Sequence, residues 1–193
     1  MRFPSTLLLL AAALMAQPLT QGDRDFALSQ LHASRKLLLD AIDGLSPAQW
    51  KFKPAPDRWS IAECAEHVVL SEDFMFERVR KLMQTPAAPE RKASLTNDEV
   101  MKGWVDRSQK AQADAATRPK GRWATPAKLA EVFKQRRERT LAYVRTTQDA
   151  LRIHSDPGEA GLDAYQWLLA IAAHTERHVL QINEVKADPR YPR

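Results

Sequence analysis

Residues 59–70 read Trp59-Ser60-Ile61-Ala62-Glu63-Cys64-Ala65-Glu66-His67-Val68-Val69-Leu70, and this stretch contains both the start of a helix and its apolar face. Ser60 with Glu63 three residues on is a capping box: the hydroxyl accepts from a first-turn N–H while the carboxylate reaches back to the cap's own N–H. Trp59 before the cap and Cys64 four residues after it are placed as a hydrophobic staple. The helix is predicted to run to about Gln84, where Thr85-Pro86 and Pro89 stop it.

Upstream, Leu28, Leu31, Leu38, Leu39 and Ile42 recur at helical spacing between Arg24 and about Asp43, and Gly44 closes that run. The connection from Leu45 to Trp59 carries Pro47, Pro54 and Pro56 and is expected to be extended, ordered by Trp50, Phe52 and Trp59. Downstream, residues Pro86 to Ala124 are polar and broken, with Thr96-Asn97-Asp98-Glu99 a second capping box for a short helix through Trp104. Thr125-Pro126 is a cap and first-turn pair opening a third long helix, with Leu129, Val132, Phe133, Arg136, Thr140 and Val144 on one face and an end near Leu151. After a turn at Pro157-Gly158, a fourth long helix is expected from about Leu162 to Lys186, before Pro189. Four long helices without strand alternation specify an all-α fold, a four-helix bundle.

Composition narrows the classes of function. The 193 residues suffice for one domain with its own core. Cys64 is the only cysteine, so no intramolecular disulfide can form. The net charge is +5, but bases alternate with acids, as in Lys134-Gln135-Arg136-Arg137-Glu138-Arg139, which reads as a solvated helix face and argues against a nucleic-acid partner. Arg2 and the apolar run Leu7 to Ala16, broken by Gln17-Pro18, read as a leader over residues 1–22 preceding one domain over 23–193. The run is too short to span a bilayer comfortably, so no stable membrane insertion is expected once the leader is removed, and the mature protein is expected to be exported, periplasmic or secreted; a mispredicted start or a buried helix would leave it cytoplasmic.

His174 and His178 lie four apart in Ala173-His174-Thr175-Glu176-Arg177-His178. Four residues advance a helix by roughly 6 Å and rotate it by about 40°, so both imidazoles can reach one ion. The same spacing arises on ordinary solvated faces. A metalloprotease motif would need a glutamate directly after the first histidine, and Thr175 stands there. Gln181 lies on the same helix face, about 20° from His174 and about 60° from His178 in angle, and is placed to hydrogen-bond a ligand or a bound water; an ordinary polar contact would explain it equally. Taken alone, His67 fits a core histidine. Glu63 could orient it from one turn away, although the cap already accounts for Glu63, and Glu66 points about 100° away and reads as peripheral. Cys64 suits a small core residue, and His32 and His154 have no partner at ligand spacing. Trp104, Trp123 and Trp167 would serve a pocket or a core equally.

A Trp-Ser cap, a Glu and then a His on the second long helix, paired with His-x-x-x-His-x-x-Gln-Ile on the last, resembles the DinB-like superfamily from about Asp23 to Val185. The resemblance implies a four-helix bundle whose three histidines bind a divalent metal, and the matching positions are His67, His174 and His178. Three neutral imidazoles with an open coordination position suit Zn²⁺ first, with Ni²⁺ or another transition metal as alternatives, while the lack of a carboxylate ligand disfavours Mg²⁺ and Ca²⁺. A metal-dependent hydrolase and a transferase using a small thiol are both implied, on an unidentified small-molecule substrate. The alternatives are a non-catalytic metal- or ligand-binding protein and a helical interaction module, and a homodimer is compatible with one apolar outer face. No catalytic residue is legible besides the ligands, and the family motif does not extend into residues 86–124.

Overall fold

The computed structural model describes residues 17–90, 93–108, 112–157 and 161–193. The leader reading falls largely on residues 1–16, and part of the Pro157-Gly158 turn on residues 158–160, all outside the described residues. Among the described residues there are six α-helices: α1 Gln21–Ile42, α2 Pro47–Lys51, α3 Ile61–Leu82, α4 Asn97–Val105, α5 Pro126–Thr146 and α6 Ala164–Lys186. A 3₁₀ turn spans Leu151–Ile153, and among the described residues the only β pairing is an isolated bridge between Ser155 and Asp163.

The helix starts are set by local chemistry. Ser60 and Glu63 form the expected box, as do Thr96 and Glu99, and Thr125 caps α5 ahead of Pro126. Three further boxes explain where the structure departs from expectation. Thr20 with Asp23 starts α1 three residues early, Asp163 with Gln166 starts α6 at Ala164, and Ser46 with Gln49 winds α2 into the connection expected to be extended. α5 ends at Thr146 and not near Leu151, because Thr147 turns extended and the Arg24 guanidinium takes the carbonyls of Val144 and Thr147, both at 2.6 Å. Gly44 adopts φ +64, the left-handed conformation that lets the chain leave α1.

The four long helices close a ring in which α6 packs on α1 and α3, and α5 packs on α1 and α3; α4 lies over α6. Two apolar clusters fill it. One gathers Leu31, Met75, Val79, Leu141, Val144 and Leu168, the other Leu38, Ile42, Trp50, Ile61, Leu129, Phe133 and Ile182. Each such side chain, fully buried, contributes about 1.5–3 kcal/mol.

Between the clusters every long helix presents polar groups: Ser34 on α1, His67, Ser71 and Glu72 on α3, Arg137 and Thr140 on α5, His174, Thr175 and His178 on α6, all buried. Here the solvated-face reading of Lys134 to Arg139 needs correction, since Arg137 is 0% exposed and Arg136 lies at the edge. Arg137 is held because Glu72 receives its Nε and Nη2, while Nη1 donates to the Leu31 carbonyl and Ser34 Oγ, and Nη2 also to Thr175 Oγ1. Thr140 Oγ1 donates to the same Glu72 carboxylate at 2.7 Å. Among the described residues, no helix is long and apolar enough to cross a membrane.

Candidate metal centre

His67 comes from the second turn of α3, and His174 and His178 from successive turns of α6, the helix packed against it. Their ring nitrogens converge. His67 Nε2 lies 3.2 Å from His174 Nε2, and His178 Nε2 lies 3.1 Å from the same atom. All three residues are buried, and among the described residues no carboxylate or cysteine joins the group.

The outward-facing nitrogens fix which atoms are offered. His67 Nδ1 is 2.8 Å from the Thr117 carbonyl, an acceptor only, so Nδ1 carries the proton and Nε2 keeps its lone pair. His178 Nδ1 is 2.9 Å from Gln181 Oε1. The Gln181 amide is oriented by Arg107, whose Nη1 donates to that oxygen at 3.3 Å, so His178 Nδ1 must also donate there. Two lone pairs then face His174 Nε2. One proton on His174 can serve only one of them well, and the Ser71 hydroxyl, 3.4 Å from His67 Nε2, is a long partner for the other. A buried set of imidazole nitrogens with two lone pairs and at most one proton between them is what a divalent cation with nitrogen affinity would satisfy.

Electrostatics point the same way. Burial lowers the pKa of all three histidines: His174 falls well below the ordinary range, and His178 falls to about 3, the neighbouring imidazoles adding to both. For His67 burial outweighs the Thr117 hydrogen bond, which acts upward. Each ring is therefore held neutral, the form that ligates metal.

Aromatic rings enclose the cluster. Trp59, expected as the staple over Cys64, lies in the same apolar cluster as that residue, and its ring also sits 5.0 Å from His67 and stacks on His178 at 6.1 Å. Trp104 meets His174 edge-on at 6.0 Å and Trp167 at 5.7 Å. Trp123 lies elsewhere, under the Arg136 guanidinium.

Of the other residues considered, Gln181 orients His178, while Glu63 belongs to the cap and an ion pair with Lys53 at 3.0 Å. Cys64 is fully buried and burial pushes its thiol up, so it is inert. His32 sits on the surface beside Arg145, and His154 precedes α6; neither joins the cluster. Glu66 is not peripheral. It is 3% exposed and accepts from the backbone N–H groups of Lys120, Gly121 and Arg122 at 2.9, 2.8 and 3.1 Å, and from the Arg122 side chain at 3.1 Å. No spacing in the sequence links position 66 to residues 120–122, and none links His67 to Thr117. A cleft of about 530 Å³ between the end of α1, α2 and the start of α5, lined by Leu39, Trp50 and Pro126 among others, contains none of the three histidines.

No curated protein matches the chain. Among solved structures it is similar to YfiT from Bacillus subtilis, described as a probable metal-dependent hydrolase with an unusual four-helix bundle topology. The two share 16% identity and a TM-score of 0.56 over 87% of this chain and 88% of that one. The family model of the DinB superfamily matches residues 30–182, a span that holds all three histidines and all four long helices apart from their outer ends. The chain belongs to the DinB superfamily.

Proposed function

We propose that the protein is a metal-dependent hydrolase acting on a small molecule, with His67, His174 and His178 holding one divalent ion, Zn²⁺ before Ni²⁺. The observation that carries this is the inward convergence of three neutral imidazole nitrogens, two of them with the opposite nitrogen tied to an oxygen acceptor. Supplying only three ligands, the chain leaves coordination capacity for water or a substrate oxygen. When bound, such an ion lowers the pKa of water and polarises a carbonyl.

The protein's own groups then have definite tasks. Thr117 and Gln181 hold the His67 and His178 rings in register, Trp59 and Trp104 exclude bulk water from two sides, and Ser71 places a hydroxyl beside the ligand atoms. The described surroundings contain no cysteine nucleophile, since Cys64 is packed into the apolar cluster. Hydrolysis is preferred to transfer onto a small thiol because the leader-like run Leu7 to Ala16 supports export, and reduced small thiols are scarce outside the cytosol.

The test is elemental mass spectrometry on the untagged mature chain, with His67→Ala and His178→Ala beside it, followed by screening of ester and amide substrates. Near-stoichiometric metal in the wild type, lost in both variants, with a melting temperature that falls on chelation, is the expected result. No bound metal, no Zn²⁺ or Ni²⁺ uptake and unchanged melts would sink the reading and leave a helical binding protein in its place.

A further inference from the structure

Three consecutive backbone N–H groups, from Lys120, Gly121 and Arg122, point at one side chain, the buried carboxylate of Glu66. Successive amides converge in this way where the backbone changes handedness, and Gly121 supplies that with φ +75. Such a nest binds an anion, and here the anion is part of the protein.

The nest is three residues from Thr117, whose carbonyl takes the proton of His67 Nδ1. Pro119 fixes its own φ and restricts Arg118, so the link between nest and carbonyl is short and stiff. Thr117 is itself turned by hydrogen bonds to the Asp114 carbonyl. Glu66 and His67 are neighbours on α3. The helix therefore grips the loop with one residue and is gripped back, at the next residue, by the loop's carbonyl.

We propose that Glu66 is a positioning residue for the metal centre: by clamping residues 120–122 it seats the Thr117 carbonyl against His67 and fixes that ligand's tautomer and ring orientation. This rests on the metal reading above for its consequence, but the clamp itself can be read without metal. Side chains that orient a ligating histidine from one step away typically change metal affinity by about 10–100-fold when replaced.

Two variants perturb the clamp from opposite sides. Glu66→Gln turns an amide N–H₂ toward groups that are themselves donors, and Gly121→Ala strains the turn without touching α3; no atom lies within 4 Å of the added Cβ. Arg122→Ala is the control, because it removes the side-chain ion pair and leaves the three backbone donors in place. After circular dichroism has shown which variants fold, Zn²⁺ affinity is measured by competition with a chromophoric chelator. The His67 Nδ1–H proton is followed by NMR of metal-free, ¹⁵N-histidine-labelled protein. The expected result is affinity about 10–100-fold weaker in Glu66→Gln and Gly121→Ala, loss or broadening of the His67 proton signal in both, and Arg122→Ala within about twofold of wild type. Wild-type affinity with an unmoved His67 signal in both variants overturns the proposal. If the wild type binds no ion, the metal reading has failed and the NMR arm alone decides the clamp. If Glu66→Gln does not fold, Gly121→Ala carries both arms.

Discussion

The Arg137–Glu72 network and the histidine cluster occupy the same polar belt and are adjacent on α6, where Thr175 belongs to the first and His174 to the second. Both are buried, yet they differ in how their polar atoms are satisfied. Every N–H of Arg137 has an acceptor within the protein, spread over α1, α3 and α6, and Glu72 accepts in addition from Thr140. In the cluster the outer nitrogens of His67 and His178 are satisfied and the inner ones oppose one another. A closed network holds four helices in register; the histidine group, its inner nitrogens left to one another, could hold a metal ion.

The largest expected effect separates the two. Arg137→Ala strands the Glu72 carboxylate and should cost about 3–5 kcal/mol in denaturant unfolding. Whatever remains folded should keep its metal stoichiometry, and loss of metal from folded Arg137→Ala protein would break the distinction. Replacing Arg137 and Glu72 together by apolar residues of similar volume should recover much of the loss, since no uncompensated charge is then buried.

The second effect belongs to the histidines. Their folded-state pKa values are depressed, so below about pH 6.5 the unfolded chain takes up protons that the folded, metal-free protein does not. Stability of the chelated protein should therefore fall as pH drops from about 6.5, with each such proton contributing a slope of about 1.4 kcal/mol per pH unit. For His178 the loss continues toward its folded value of about 3. His174→Ala should reduce the slope by about one proton, which denaturant melts at several pH values measure.

A smaller effect is expected at the edge of the cluster. Gln181→Ala removes the acceptor for His178 Nδ1 and should weaken Zn²⁺ binding about tenfold in a competitive titration, with little change in the metal-free melt. The smallest concerns Ser60 and Glu63. Ser60→Ala should cost about 1 kcal/mol through loss of the α3 cap, with metal affinity unaltered. A matching fall in affinity would show that Trp59, held beside this cap, depends on it to stay over His67 and His178.

What could be read from the sequence divides along the same line. The four-residue spacing of His174 and His178 and the box at Ser60 lie within single helices, and the structure keeps both. The pairing of His67 with them rested on likeness to a family; periodicity alone would have left it a core histidine. Helical spacing put Arg136 on the face of Leu129 and Phe133, while charge alternation put Arg136 and Arg137 alike in a solvated run, so nothing local marked Arg137 as the buried one. The choice between them was made by Glu72, 65 residues away. Glu66 was missed for the same reason, its partners lying 54 to 56 residues on, in a stretch without periodicity.

The sequence by itself determined where α3, α4 and α5 begin, that there are four long helices, and that two histidines share a face of the last. Capping and helical spacing are chemistry within a few residues, and the chain carries them before it folds. Only the tertiary structure decided which charged side chains turn inward, which carbonyl orients His67, and that three imidazoles meet with their Nε2 atoms together. Those outcomes depend on a partner brought from a distant part of the chain, because a buried polar atom is tolerated only where such a partner is waiting.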